Sequence, residues 1–233
     1  MTVEEYKERV EKAKRIVFFG GAGVSTESGI PDFRSVDGLY KQKYEYPPET
    51  MLSADFFYVH TDEFFRFYFD KMIYTDARPN AAHVKLAEWE RMGKLKAVVT
   101  QNIDGLHQEA GSKTIYELHG SVHRNRCIHC GKKFTLCEVL KQKPSIPRCG
   151  CGGVIKPEVV LYGESLPERT VISAIDAIAS ADMLIVGGTS LAVYPAAGFI
   201  RYFNGSPDNL IVINKSVIHG FKNQLNGALG ELL

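Results

Sequence analysis

A short apolar run opening into a glycine-rich turn constrains this chain more than any other feature. Ile16-Val17-Phe18-Phe19 is β-branched and aromatic and reads as a buried strand. Gly20 to Arg34 follows at once as GGAGVSTESGIPDFR. Gly21 and Gly23 are expected to leave the strand at positive φ and let backbone N–H groups approach a pyrophosphate. A Gly-x-Gly after a strand is a weak signal by itself, because tight turns and close packing also need glycine. Ser25-Thr26-Glu27-Ser28-Gly29 does not read as the long apolar helix of an ordinary dinucleotide fingerprint. It runs instead into Ile30-Pro31-Asp32-Phe33-Arg34, a stiff polar and aromatic loop.

Four more strand-like runs follow, at Ala97–Thr100, Ile115–Leu118, Met183–Val186 and Leu210–Ile213. Helical patterns over 79–92 and 171–179 lie between some of them, with Gly93 placed to end the first. Strands alternating with helices predict an α/β fold with a mostly parallel sheet covered on both faces. Ligands of such sheets bind beyond the carboxyl ends of the strands, where the strand order reverses. Two regions interrupt the alternation. Residues 36–80 carry Phe56, Phe57, Phe64, Phe65, Phe67, Tyr68 and Phe69. They predict a small helical lobe with its own core, one face of which lines an apolar channel. Residues 121–158 carry the cysteines.

At 233 residues the chain suits one large domain with insertions, or two domains. Hydrophobic content of 45% and charged content of 24% are ordinary for a globular protein. No apolar run approaches the ~20 residues of a membrane span. Met1 to Arg15 is charged and lacks a signal-peptide core, so a cytoplasmic location is expected. A formal net charge of +1 argues against a dedicated nucleic-acid surface.

Five cysteines without a secretion signal favour metal or thiol chemistry over disulfides. Cys127-Ile128-His129-Cys130 and Cys149-Gly150-Cys151 are two short-spaced pairs. Each loop can aim two thiolates at one ion, and two pairs make a tetrahedral zinc site. Free thiols, or His129 in place of one cysteine, are the competing readings. Arg124, Arg126, Lys132, Lys133 and Arg148 flank the pairs and suit a four-thiolate site of net charge near −2. A closed sulfur shell leaves no position for water, so the metal is expected to be structural. Cys137 lies outside both pairs and reads as an apolar filler or a free thiol.

Beyond the first turn, Thr100-Gln101-Asn102-Ile103-Asp104-Gly105-Leu106-His107, Leu118-His119-Gly120, Tyr162-Gly163-Glu164, Gly188–Ala196 and Ile213-Asn214-Lys215 are polar or glycine-containing segments near strand runs. With Gly20–Arg34 and the cysteine pairs, they occur in the order of the sirtuin motifs, from about residue 15 to 216. The chain resembles the sirtuins, NAD-dependent protein lysine deacylases.

The resemblance implies a Rossmann-like parallel sheet domain at 1–35, 81–120 and 159–233. It also implies a helical lobe with the cofactor loop at 36–80 and a zinc-binding module at 121–158. The implied reaction uses NAD as co-substrate and gives nicotinamide, O-acetyl-ADP-ribose and deacetylated lysine. A mono-ADP-ribosyltransferase using the same bond cleavage is the alternative, and a non-enzymatic NAD sensor a weaker one. Ala22, Thr26 and Arg34 are then expected at the pyrophosphate, and Phe33 as a lid over the reacting ribose carbon. Gln101 and Asn102 are expected near the ribose, and Ile103 and Asp104 at the carboxamide. Thr189, Ser190 and Asn214 complete the cofactor set. Without the resemblance, 100–107 would read as a polar strand-to-helix turn. His119 is implied as the general base that takes a proton from a ribose hydroxyl; histidine suits that role near neutral pH. His107 is expected to be structural, and His123 and His129 to belong to the zinc module. His60, His83 and His219 have no special context.

An acetyl-lysine peptide is expected to add as a strand between Val160–Glu164 and Leu191–Val193. The chain departs from the family pattern at several points. It has Tyr162 for the usual Phe and Gly20 for a frequent Thr, and one residue rather than two inside the second cysteine pair. The connection after Ser216 is short, so the last adenine contact, expected near 219–222, has no assigned residue. Succinyl-preferring relatives carry Tyr-x-x-Arg in the aromatic lobe. Here the pair is Tyr68 and Lys71, with Lys71 expected at a solvent-facing helix surface, which predicts acetyl over succinyl.

Overall fold

The computed structural model describes residues 1–33 and 46–233. Arg34 and the rest of 34–45 therefore lie outside the described residues. Six strands form a parallel sheet: β1 (Ile16–Gly20), β2 (Leu95–Thr100), β3 (Ile115–Glu117), β7 (Met183–Gly187), β8 (Leu210–Asn214) and β9 (Gln224–Asn226). Their order is β3-β2-β1-β7-β8-β9, so the order reverses between β1 and β7. A three-stranded antiparallel sheet contains β4 (Gly120–Cys127), β5 (Lys133–Thr135) and β6 (Ile155–Val159) in the order β5-β4-β6.

Every residue of β1 and β7 is buried, because both faces of the large sheet are covered. Alternate residues go to opposite faces. Ile16, Phe18, Val98, Ile185 and Ile213 join one core with Tyr6 and Val10 of α1 (Val3–Lys12) and Leu86 and Trp89 of the long helix at Ala81–Arg91. Val17, Phe19, Val99, Leu184 and Val212 join the other with Ala174 and Ile178 of the helix at Glu168–Ser180. Each large apolar side chain buried this way contributes about 1.5–3 kcal/mol relative to exposure.

Helix α1 is an element that the charge-based reading of the N-terminus missed. Its start is fixed by a capping box between Thr2 and Glu5. Asn80 likewise caps the Ala81–Arg91 helix, accepting from Ala82 and His83, and Gly93 follows that helix at φ 71°.

The aromatic lobe comprises α2 (Pro48–Met51), α3 (Ala54–Val59) and α4 (Thr61–Lys71). Contrary to expectation it does not keep a core of its own. Phe56, Phe57, Phe64, Phe65 and Tyr68 pack in one cluster with Val122, Leu136, Val139, Ile155 and Val159 of the cysteine-bearing segment. Lobe and segment are two halves of a single apolar unit. Among the described residues no helix is long and apolar enough to cross a membrane.

Candidate active site

A cavity of about 620 Å³ opens at the carboxyl ends of β1, β2, β7 and β8, at the reversal of strand order. It is lined by Ala22, Thr26, Phe33, Gln101, Ile103, Asp104, His119, Thr189, Ser190 and Asn214. Each of these was expected from sequence, so the fold brings together residues up to almost 200 positions apart.

The glycine turn works differently from expectation. Gly21 has φ −134°, and neither Gly21 nor Gly23 is at positive φ. They are needed because the turn after β7 packs against them. A Cβ on Gly21 would lie 2.8 Å from Thr189 Cβ, and one on Gly23 2.8 Å from Gly188 Cα. The N–H groups of Gly21 and Gly23 are spent on the Gly187 and Gly188 carbonyls. Gly20, one of the departures from the family pattern, faces the Phe18 ring, which a Cβ there would approach to 2.7 Å.

A hydrogen-bond chain crosses the floor of the cavity. Asn102 Nδ2 donates to Ser25 Oγ at 3.0 Å, and Ser25 Oγ donates to Asp104 Oδ2 at 2.7 Å. Asp104 Oδ1 accepts from the Leu106 N–H at 2.9 Å. Each carboxylate oxygen retains a further acceptor site, so the group can still receive an amide donor. Ser25, 1% exposed, is the link that the sequence reading missed. Its signal was weak, a small polar residue among four others.

Gln101 Nε2 donates to Thr189 Oγ1 at 3.2 Å and ties the β2 end to the β7 turn. Thr26 Oγ1 donates to the Gly23 carbonyl at 3.0 Å and lies 3.4 Å from Lys215 Nζ. Leu191 is held at φ 52° beside this rim, its N–H on Thr189 Oγ1.

His119 is placed by the β3–β4 turn. Gly120 follows at φ 76°, and a Cβ there would clash with the Glu158 carbonyl oxygen, so only glycine fits. His119 Nδ1 lies 3.0 Å from the Gln101 carbonyl. Burial lowers the imidazole pKa, and that carbonyl contact partly opposes the shift.

The other histidines need correction. His123 is not confined to the cysteine segment: it lines the cavity, with Nε2 2.9 Å from the Asp104 carbonyl oxygen. His107 is buried, as expected of a structural residue, but its ring lies 4.7 Å from that of His83, which is buried as well. Burial depresses His83 to about 4, and burial with the neighbouring His83 depresses His107 to about 3.

Lys71 also differs from expectation. It lines the cavity and pairs with Asp70 at 3.0 Å. Tyr68, by contrast, is 1% exposed and stacked on Phe64, its hydroxyl in the core and without a partner among the described residues. The two do not form a pair at the cavity.

At the far rim, Ser216 leads through a short connection into β9. Gln224 closes it, accepting from the Ile218 N–H and donating to the Ile218 and Phe221 carbonyls at 2.8–2.9 Å. Positions 219–222 do not line the cavity; Gly227 and Leu229 do.

The four cysteine sulfurs lie within 4.8 Å of one another. Cys127 and Cys151 are 3.5 Å apart, Cys130 and Cys149 3.6 Å. A tetrahedron with ~2.3 Å Zn–S bonds has edges of about 3.8 Å, so the set fits zinc. The one-residue spacing of the second pair is accommodated by a tight loop, with Gly152 N–H on the Cys149 carbonyl and Cys149 N–H on that of Gly153. The Cys130 N–H lowers the Cys127 thiol to about 6, while, against the Gly153 N–H, the contacts with Cys130, Cys127 and Cys149 raise Cys151, so without an ion the four sulfurs share protons unequally. Cys137 is exposed on the short helix Leu136–Leu140 and fills no core.

The model of the Sir2 family matches residues 21–195. The chain belongs to the Sir2 family. It is 62% identical over 217 residues to an NAD-dependent protein deacetylase of Clostridium acetobutylicum, covering 92% of this chain and 88% of that one. It is 52% identical over 238 residues to an NAD-dependent protein deacetylase of Clostridium perfringens, covering 99% and 96%. A solved Sir2 complex with p53 peptide and NAD⁺ superposes with a TM-score of 0.85 at 38% identity, covering 99% of this chain and 95% of that one. Another, with deacetylated p53 peptide and 3′-O-acetyl ADP ribose, gives 0.89 at 39%, with the same coverage. In this chain residues of the Gly20–Arg34, Thr100–His107, Leu118–Gly120 and Gly188–Ala196 segments converge on one cavity.

Proposed function

We propose that this chain is an NAD-dependent protein lysine deacetylase that gives nicotinamide, O-acetyl-ADP-ribose and deacetylated lysine. The observation that carries the reading is the placement of His119 and the Asn102–Ser25–Asp104 chain in one cavity of dinucleotide size. NAD, when bound, supplies a cationic nicotinamide leaving group. Asp104 would accept from the carboxamide, with Ser25 and Asn102 fixing its orientation. Phe33, packed against the aromatic cluster, would exclude water from the reacting ribose carbon. Ala22, Thr26, Gln101, Ile103, Thr189, Ser190 and Asn214 would hold the rest of the dinucleotide, together with Arg34. His119 Nε2, left without the proton, would then take one from a ribose hydroxyl.

The acetyl-lysine peptide would enter beside Val160–Glu164 and Leu191–Val193 and pair through its backbone. Zinc would hold the cysteine segment and take no part in the chemistry, since none of its four ligands lines the cavity. We assign 1–35, 81–120 and 159–233 to the NAD-binding domain, 36–80 to the helical lobe and 121–158 to the zinc module. A cytoplasmic location and the lack of a dedicated nucleic-acid surface belong to the same reading.

The deciding experiment incubates the protein with NAD and an acetyl-lysine peptide and identifies products by mass spectrometry. O-acetyl-ADP-ribose with deacetylated peptide supports the reading. ADP-ribosylated protein with the acetyl group intact would establish the transferase alternative instead.

A further inference from the structure

A lysine that lines no part of the cavity is built into its peptide-side wall. Lys156 lies on β6 in register with Arg126 of β4, one step from the pair formed by Ile155 and Cys127. Its Nζ lies 3.1 Å from each carboxylate oxygen of Glu164. It also donates to the Val159 carbonyl at 3.2 Å and sits 5.8 Å from the centre of the Phe57 ring. The ion pair is shielded, with side chains 15% and 28% exposed.

Glu164 does line the cavity. Its Oε2 accepts from the Leu161 N–H at 2.8 Å, and its own N–H donates to the Leu161 carbonyl at 2.9 Å. Gly163, at φ 90°, supplies the positive φ that a type II turn over Leu161–Glu164 requires. The segment therefore ends in a closed turn, just beyond the parallel bridge between Tyr162 and Ser53. One flank is fixed by the lobe: Tyr162 N–H donates to the Leu52 carbonyl and Tyr162 accepts from the Ala54 N–H, both at 2.9 Å. The other flank is held by Glu164, through its carboxylate and its own N–H to Leu161. A shielded carboxylate needs a charged partner to stay in place. Without the ammonium it would turn toward water and release the Leu161 N–H.

We infer that Lys156 is a positioning residue for the peptide substrate: through Glu164 it fixes the 161–164 turn and so sets peptide affinity while touching neither substrate. The inference rests on the reading that this wall receives the acyl-lysine peptide. It also gives the cysteine segment a direct mechanical link to the cavity, because the clamp stands on β6.

The test uses the full chain. Lys156→Met keeps the arm and removes the charge, and Lys156→Arg keeps the charge. Glu164→Gln keeps an acceptor for the Leu161 N–H and removes the carboxylate. Affinity for a fluorescent acetyl-lysine peptide is read by anisotropy, NAD affinity by calorimetry, zinc by elemental analysis, and peptide KM and kcat by steady-state turnover. Lys156→Met is expected to weaken peptide binding and raise KM about tenfold, equivalent to ~1.4 kcal/mol. Its kcat should fall by far less, with NAD affinity and zinc content within about twofold, and Lys156→Arg should recover most of the loss. Glu164→Gln should weaken the peptide similarly, and the double variant little further, since coupled residues are not additive. Unchanged peptide affinity, additive losses, or a uniform loss of peptide, NAD and zinc would each overturn the clamp. A wild-type chain that binds no peptide overturns it too. Binding needs no turnover, so a chain that binds peptide in this clamp-dependent way yet does not deacetylate it would sink the activity reading and leave the clamp standing.

Discussion

The Nδ1 atom of His119 lies 3.0 Å from the carbonyl oxygen of Gln101, and this contact sets the imidazole tautomer. A carbonyl only accepts, so Nδ1 carries the proton and Nε2 is the free base. Burial lowers the pKa, so the base form persists to lower pH than for an ordinary histidine near 6.5. His119→Ala is expected to lose ~10²–10⁴ in deacetylation rate while retaining NAD binding. The acid limb of the wild-type kcat/KM profile is expected below pH ~6.5. Wild-type-like turnover in the variant would remove His119 from the mechanism.

Ser25 is the middle member of a chain between Asn102 and Asp104. Ser25→Ala leaves Asp104 Oδ2 without its buried donor, a loss on the order of 1–3 kcal/mol. Nicotinamide release measured against NAD concentration should show kcat/KM down by roughly 5- to 150-fold. A value within twofold of wild type would show that the Leu106 contact alone orients Asp104.

One zinc per chain is expected in freshly purified protein, held by Cys127, Cys130, Cys149 and Cys151. Val122, Leu136, Val139 and Ile155 of this segment share a core with the aromatic lobe. Chelation or Cys149→Ser should therefore lower the melting temperature of the lobe as well as activity. Metal-free protein with full activity would contradict this.

His83 and His107 are buried neutral, with pKa values depressed to about 4 and about 3. The unfolded chain takes up these protons first, so the stability associated with the neutral pair is fully present above pH ~6.5 and is lost as pH falls toward the folded values. Each group costs up to ~1.4 kcal/mol per pH unit in that window. His107→Leu removes one titration at a site where neither ring nitrogen has a partner among the described residues. Its unfolding free energy should fall less between pH 7.5 and 5 than that of wild type; equal slopes would exclude the pair as the origin.

Acetyl-lysine is expected to be hydrolysed with higher kcat/KM than succinyl-lysine. Lys71 lines the cavity, but Tyr68 has its hydroxyl in the aromatic core. Lys71→Arg supplies the planar fork for a carboxylate without the tyrosine. It should raise succinyl turnover modestly at most and leave acetyl the preferred group. A reversed preference in wild type would show that Lys71 alone recognises the acyl carboxylate.

The strands and the site motifs were legible because each reduces to a local pattern. Ile16–Phe19 and Met183–Val186 are continuous apolar runs, and the polar motifs follow strand ends. What stayed hidden depends on contacts between distant segments. Gly23 reads as a conformational device from sequence, yet its reason is Gly188, brought beside it by the β1–β7 pairing. His83 carries no sequence signal for its contact with His107, which lies on a different helix. The aromatic lobe was visible as Phe56–Phe69, but its shared core needs the fold of 121–158 to be known. Glu164 looked like part of an edge, because no local pattern announces that its carboxylate will take the Leu161 N–H and pair with Lys156.

The strand order carries a consequence for how the chain is made. β1, near the N-terminus, lies between β2 and β7, and β7 begins only at Met183. During synthesis β1 and β2 emerge as an incomplete parallel pair with one apolar edge open until most of the chain has been translated. Parallel pairings between such distant segments form slowly and expose aggregation-prone surface. The cysteine pairs, by contrast, lie within 25 consecutive residues, so the zinc site can close while that edge still waits for its partner. A chain supplied with zinc can therefore order the 127–151 segment before its parallel sheet is complete.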